Sequence, residues 1–241
     1  MKLSLYLVDK GYYPTRSQAH NAIKEGKITV DGNIITKDGF EVTEKNDICV
    51  KSDEHTYVSR GGNKLEAALT SFNLNLKDLT CLDIGASTGG FTDCMLQHGA
   101  AKVFAYDVGH EQLADKIRND PRVISKEGIN CRNLKRSDFD CDINFIAMDV
   151  SFISCSKMFL AISDILDVGS NAVVLFKPQF EVGSQYINKK GVVTDTNAVN
   201  RELENCKRNA DEVKLTVEGC IEAPIKGQNG NQEYLLLLRK V

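Results

Sequence analysis

The chain has 241 residues, of which 42% are hydrophobic and 26% charged, and a formal net charge of −3. That length allows one sizeable core plus a small additional module, and no apolar run approaches the roughly 20 residues of a membrane-spanning helix. The slightly acidic balance is wrong for indiscriminate nucleic-acid binding, so any RNA contact has to come from a local basic patch. The opening Leu3–Val8 stretch is too short for a secretory segment and runs into Asp9-Lys10, which predicts a cytoplasmic protein. Eight cysteines (49, 81, 94, 131, 141, 155, 206 and 220) include no C-x-x-C pair, and several lie in apolar runs. They read as buried free thiols of a reducing compartment, and with four histidines at no ligand spacing the sequence predicts no metal site.

In chain order, Leu3, Leu5, Leu7 and Val8 predict a short helix ended by Gly11. Thr15 is a candidate N-cap of a second helix running to Glu25, with Gly26 just past its end. Ile28-Thr29-Val30, the turn Asp31-Gly32 and Asn33–Thr36 predict a β-hairpin, with Ile48-Cys49-Val50 as a closing strand. A polar break at 52–60 ends this pattern, so residues 1–55 are expected to form one domain, 56–62 a linker and 63–241 a second domain. The second domain alternates: a helix over 64–72, strands at 80–84, 102–106, 145–148 and 172–176, a possible strand at 123–125, and helical stretches between them. This predicts an α/β fold with a mainly parallel sheet and helices on both faces. Two β-like runs, 216–221 and 233–238, close the chain as a hairpin and should add one antiparallel strand.

The most informative stretch is Leu82-Asp83-Ile84-Gly85-Ala86-Ser87-Thr88-Gly89-Gly90-Phe91-Thr92. It reads as strand, glycine-rich loop and helix start, the arrangement that holds a nucleotide-like cofactor. A pyrophosphate asks for G-x-G-x-x-G and backbone N–H groups. Here Ser87 stands at the second glycine position and the acid Asp83 at the strand end, which suits a ligand carrying an ammonium group, such as S-adenosylmethionine (SAM). Asp107, ending the next strand, is placed to accept hydrogen bonds from ribose hydroxyls, a need that NAD and SAM share. Asn130, after the possible strand at 123–125, could meet an adenine edge. Asp149 and Lys177 end two further strands, where ligands bind in such sheets, and a lysine closing a buried strand is costly without a partner. Glu233 opens the last strand and Lys64 the first helix of the second domain.

Arg16, His20 and Lys24 fall at i, i+4 and i+8 on one helix face, with Lys27 just beyond. Residues 1–37 hold six Lys or Arg against three acids. Such a stripe can follow a phosphate backbone. Thr15-Arg16-Ser17-Gln18-Ala19, Ile23–Gly32 and Lys37 resemble the S4 RNA-binding module. The motifs from Tyr57-Val58-Ser59-Arg60-Gly61-Gly62 and Lys64, through 82–92, Asp107-Val108-Gly109, Gln112-Leu113-Ala114, Asp149–Ser154, Lys177–Glu181 and Gly191-Val192-Val193, to Gly230-Asn231 and Glu233-Tyr234 resemble the TlyA family. Those proteins carry an S4 module ahead of an FtsJ/RrmJ-like Rossmann-type methyltransferase domain.

The resemblance implies SAM-dependent 2′-O-methylation of ribosomal RNA through a tetrad at Lys64, Asp149, Lys177 and Glu233. It implies cofactor contacts from Asp83, Gly85, Ala86, Ser87, Gly89, Gly90, Phe91, Asp107, Val108, Asn130 and Asp149. RNA contacts are implied from Arg16, His20, Lys24, Lys27, Lys37 and Arg60, with a cytidine of the large-subunit RNA as the expected target, because the short ends match a shorter subclass. Asp115 stands where the family often has Trp, and Tyr57 where its linker often has another. The alternatives are a noncatalytic RNA-binding protein and a haemolysin, although no membrane-inserting segment is visible in the sequence.

Overall fold

The computed structural model describes residues 1–13, 15–37, 39–50, 57–227 and 229–241. The chain divides into two compact units, Met1–His55 and Thr56–Val241. The expected domain boundary and the first linker residue lie outside the described residues.

In the first unit α1 (Leu3–Asp9) and α2 (Arg16–Lys24) precede three short strands, β1 (Ile28–Val30), β2 (Asn33–Ile35) and β3 (Ile48–Val50). They form an antiparallel sheet in the order β2-β1-β3. The turn between β1 and β2 uses Asp31 and Gly32 at φ of 50° and 79°, the left-handed pair that a tight hairpin demands. Leu3, Leu7, Ala19, Ala22, Ile23, Ile28 and Val30 make its core. Burying Ala19, Ala22 and Ile23 turns the opposite face of α2 outward, which is where Arg16 and Lys24 are exposed and His20 is half-buried.

The second unit opens with α3 (Gly61–Ser71) and then runs β4 (Thr80–Ile84), α4 (Gly90–Gln97), β5 (Lys102–Tyr106), α5 (Asp115–Arg118), β6 (Val123–Lys126) and β7 (Ile143–Met148). It continues with α6 (Phe159–Ile165), β8 (Leu166–Phe176), α7 (Pro178–Glu181), α8 (Thr196–Asp211), β9 (Leu215–Glu222) and β10 (Tyr234–Lys240). The seven strands lie in the order β6-β5-β4-β7-β8-β10-β9. β6, β5, β4, β7 and β8 pair in parallel, and β10 enters antiparallel between β8 and β9. Gln228, in the β9–β10 connection, lies outside the described residues.

The central strands are apolar on both faces, as a sheet covered on both sides requires, apart from the buried Asp83 of β4. Leu82, Ile84, Phe104, Tyr106, Ile146, Met148, Val174 and Phe176 point into one core with α6 and α8. The residues between them, among them Cys81, Val103, Ala105, Phe145, Ala147, Val173 and Leu175, point into the other with α3 and α4. β8 begins six residues before the apolar run that announces it, because its start is polar and half-exposed. All eight cysteines are free, but Cys49 and Cys220 are exposed rather than buried. Both sit in strands with an outward face, so strand membership alone did not imply burial.

Candidate functional site

Parallel strands bring their C-terminal ends to one edge of the sheet, and three of the site residues come from there. Asp149 follows β7 and Lys177 follows β8, which are neighbours with Met148 opposite Val174. Gly85 follows β4, with the Asp149 amide donating to the Ile84 carbonyl at 3.0 Å. β10 runs the other way and pairs Tyr234 with Phe176, so its first residues arrive at that same edge and carry Glu233 with them. The four tetrad residues, Gly85, Ala86, Ser87, Gly90, Phe91 and Arg60 all line one cavity of about 720 Å³.

Within the cavity the tetrad resolves into two ion pairs. Lys177 Nζ lies 2.5 Å from Asp149 Oδ1, a close charge contact rather than an aligned hydrogen bond, and donates to Ser151 Oγ at 2.8 Å. An ammonium has three N–H donors, so donor capacity remains beyond these two partners. Lys64 Nζ donates to Glu233 Oε2 at 2.5 Å, with the two side chains only 11% and 3% exposed. The seat of Glu233 is built by Asn231, which is itself buried. Its Oδ1 accepts from the Val193 amide at 2.8 Å and its Nδ2 donates to the Gly191 carbonyl at 2.8 Å. The two sequence motifs around Gly191 and Asn231 are thereby stitched together.

The glycines of the loop after β4 are dictated by close approach. A Cβ on Gly85, at φ 85°, would lie 2.3 Å from the Asp149 carbonyl oxygen, and one on Gly90 would lie 2.2 Å from Ser59 Oγ. Gly89, the residue before α4, sits at φ 94°. Gly62 leaves room for the ring of Tyr57, which a Cβ would approach to 2.3 Å. The buried Tyr57 packs there while the Val58 amide donates to Asp93 Oδ2 of α4 at 2.8 Å.

The remaining expected cofactor residues stand apart from the cavity wall. Asp107 uses both carboxylate oxygens on backbone amides, Ser87 N at 2.8 Å and Gly109 N at 2.6 Å. Val108 is 71% exposed. Asn130 is exposed and caps a short 3₁₀ turn by accepting from the Arg132 amide. Asp83 is fully buried beneath the loop, where Thr92 Oγ1 donates to its Oδ2 at 2.6 Å. Burial pushes its carboxyl up to about 7 against the opposing pull of Thr92, and the negative charge of Asp149 adds to the rise. Its Oδ1 is buried with no hydrogen-bond donor among the described residues.

A SAM molecule fits what is present. The glycine cradle leaves space that a side chain would fill, Asp107 ends β5 beside that cradle and holds the Ser87 amide of its loop, and the orphaned oxygen of Asp83 keeps an unused acceptor directly beneath it. No cluster of metal-ligating side chains occurs among the described residues. Three features escaped the sequence reading. Ser151 is the second partner of Lys177. Phe152 is 90% exposed at φ 64°, its ring 5.1 Å from that of Phe180, and both line the cavity. Lys226 also reaches the cavity wall. An exposed aromatic inside a site motif was a usable signal; nothing in the sequence marked Lys226.

In the first unit, Lys27 pairs with Glu25 at 2.5 Å, and Lys37 is exposed beyond β2.

Fold and cavity together define a SAM-dependent methyltransferase. Residues 57–240 match the FtsJ-like methyltransferase family and residues 1–48 the S4 domain. The chain is 40% identical to Hemolysin A of Brachyspira hyodysenteriae, covering 98% of each protein. It is 39% identical to the 16S/23S rRNA (cytidine-2′-O)-methyltransferase TlyA of Mycobacterium tuberculosis, covering 97% of this chain and 87% of that one. A solved structure from Streptococcus thermophilus that carries the name hemolysin superposes with a TM-score of 0.80 at 39% identity, covering 100% of this chain and 88% of the other. The chain belongs to the TlyA family of S4-FtsJ proteins.

Proposed function

We propose that the protein methylates the ribose 2′-oxygen of a ribosomal RNA nucleotide, with a cytidine of the large-subunit RNA as its favoured target. One observation carries this reading: Lys177, held by Asp149 and Ser151 with donor capacity to spare, shares a cavity with the buried Lys64–Glu233 pair. A ribose hydroxyl is barely ionised at neutral pH, so the protein must align it and favour loss of its proton. SAM supplies a methyl group already activated by its sulfonium. A remaining N–H of Lys177 meets the 2′-oxygen and stabilises the alkoxide that develops there as the hydroxyl proton passes to water and the oxygen takes the methyl group. Asp149 fixes the ammonium in place, and Lys64 with Glu233 holds the ribose. The exposed Phe152 face accepts a nucleobase by stacking, while Arg60 and Lys226 supply positive charge at the same cavity.

In this reading residues 1–55 bind RNA, chiefly through the outward face of α2 with Arg16, His20 and Lys24 and through Lys27 and Lys37. Residues 56–62 link that domain to a catalytic domain over 63–241. The relatives' names support the substrate class, since one is an rRNA (cytidine-2′-O)-methyltransferase. A lytic role has no such support from the cavity, and no helix among the described residues is long and apolar enough to cross a membrane.

The test is transfer of a labelled methyl group from SAM to purified ribosomal subunits, with the modified nucleotide mapped by mass spectrometry. Lys177→Ala is expected to bind cofactor and RNA and to lose methyl transfer by at least a hundredfold. Transfer at the wild-type rate by that variant, or label found on a base instead of a ribose, overturns the assignment.

A further inference from the structure

The loop after β4 is tied to the loop after β5 by more than Asp107. Ser87 occupies the left-handed region at φ 46°, a conformation that costs a non-glycine residue energy unless its neighbours hold it. Its amide is held by Asp107 Oδ2, and its hydroxyl donates to Gln112 Oε1 at 3.1 Å. Gln112 is itself anchored from behind: Glu127 accepts from the amides of Glu111 at 2.7 Å and of Gln112 at 3.2 Å. The Gln112 side chain then lies directly over Gly109, where a Cβ would come within 2.0 Å of its Nε2. Gly109 in turn donates to the other oxygen of Asp107. Ser87, Asp107, Gly109 and Gln112 thus form a closed ring of contacts across the gap between β4 and β5, where a nucleoside lies in folds of this kind.

We propose that Gln112 is a positioning residue for the cofactor. Acting through Ser87, it holds the glycine-rich loop in register with Asp107, so that the ribose acceptor and the loop backbone meet the cofactor already aligned. It touches neither the reacting atoms nor the tetrad. Its removal weakens cofactor binding and leaves the chemical step intact.

Calorimetric titration of the full chain with S-adenosylhomocysteine tests this independently of activity. Gln112→Ala and Ser87→Ala should each weaken binding by about tenfold, the upper range of what one neutral hydrogen bond can carry. The double variant should be no weaker than the weaker single, because both changes remove the same bond. Both side chains are exposed, so thermal midpoints should stay at the wild-type value. In the transfer assay Gln112→Ala should raise the KM for SAM with kcat at saturation unchanged. Losses below threefold in either single variant overturn the proposal. So do losses that multiply in the double variant, which would mean that Gln112 acts apart from Ser87, or a fall in the kcat of Gln112→Ala at saturating SAM.

Discussion

Replacing Asp83 with Asn should make the catalytic unit more stable at high pH, by an amount that the buried carboxyl sets. In the folded chain this group titrates near 7, pushed up chiefly by burial. In the unfolded chain it titrates near its ordinary value of about 3.9. Below about pH 4 both states are neutral and the group costs nothing. As pH rises towards 7 the unfolded chain releases the proton while the folded one retains it, so stability is lost across that window and the loss is complete once the folded carboxyl ionises. Three units at about 1.36 kcal/mol each give a total of about 4 kcal/mol, of which about 2.5 kcal/mol falls between pH 5 and pH 8. Asn keeps a carbonyl for the Thr92 hydroxyl and has no proton to lose. Urea unfolding of both proteins at pH 5 and pH 8, followed by far-ultraviolet circular dichroism, isolates the effect, because every other titrating group is common to the pair. The stability of Asp83→Asn relative to wild type should increase by about 2.5 kcal/mol across the interval. A difference that does not change with pH would mean that the carboxyl ionises as easily folded as unfolded, and the reasoning from burial would fail.

Two further substitutions probe the cavity walls. Gly90→Ala drives a methyl to 2.2 Å from Ser59 Oγ and 3.0 Å from the Gly62 amide, so it should destabilise by about 1–3 kcal/mol, read as a lowered thermal midpoint, with Ser59→Gly in the same chain restoring part of it. Glu233→Gln leaves the Lys64 ammonium buried without its counter-charge and should cost about 3 kcal/mol along with methyl transfer. The paired change Lys64→Met with Glu233→Leu should recover the stability in chemical denaturation but not the activity.

Where the sequence was explicit, strong local signals coincided with tertiary demand. The run at 80–84 followed by Gly85, Gly89 and Gly90 could be read because tight packing there leaves little room for a side chain, and the structure shows the backbone and side-chain atoms that a Cβ would meet. Lys177 was legible for a different reason: a cation ending an apolar strand implies a partner, and Asp149 is that partner. Asp83 was less legible. Its position beside the loop suggested a carboxylate facing a ligand, yet it lies wholly beneath the surface, bonded to Thr92. A strand residue's neighbours are set by sheet order and by the helix packed above it, and neither is written locally. The same holds for Ser151 and Gln112, whose roles depend on loops that meet only after β4, β5, β7 and β8 have assembled.

The reversed strand explains why the tetrad needs residues so distant in sequence. A purely parallel sheet delivers only strand C-terminal ends to the ligand edge, and those positions are held by the cofactor loop, Asp149 and Lys177. The acid that pairs with Lys64 comes from an element that arrives at that edge by its N-terminal end. β10 does this: by pairing antiparallel to β8 with Tyr234 opposite Phe176, it sets the residue just before it beside the end of β8. Asn231 then locks that residue's approach through the Gly191–Val193 loop, and Gly227 makes room for its carboxylate, which a Cβ there would meet at 2.5 Å from Oε1. The antiparallel insertion thereby closes the Lys64–Glu233 pair, 169 residues apart in the chain, over the same cavity as Lys177.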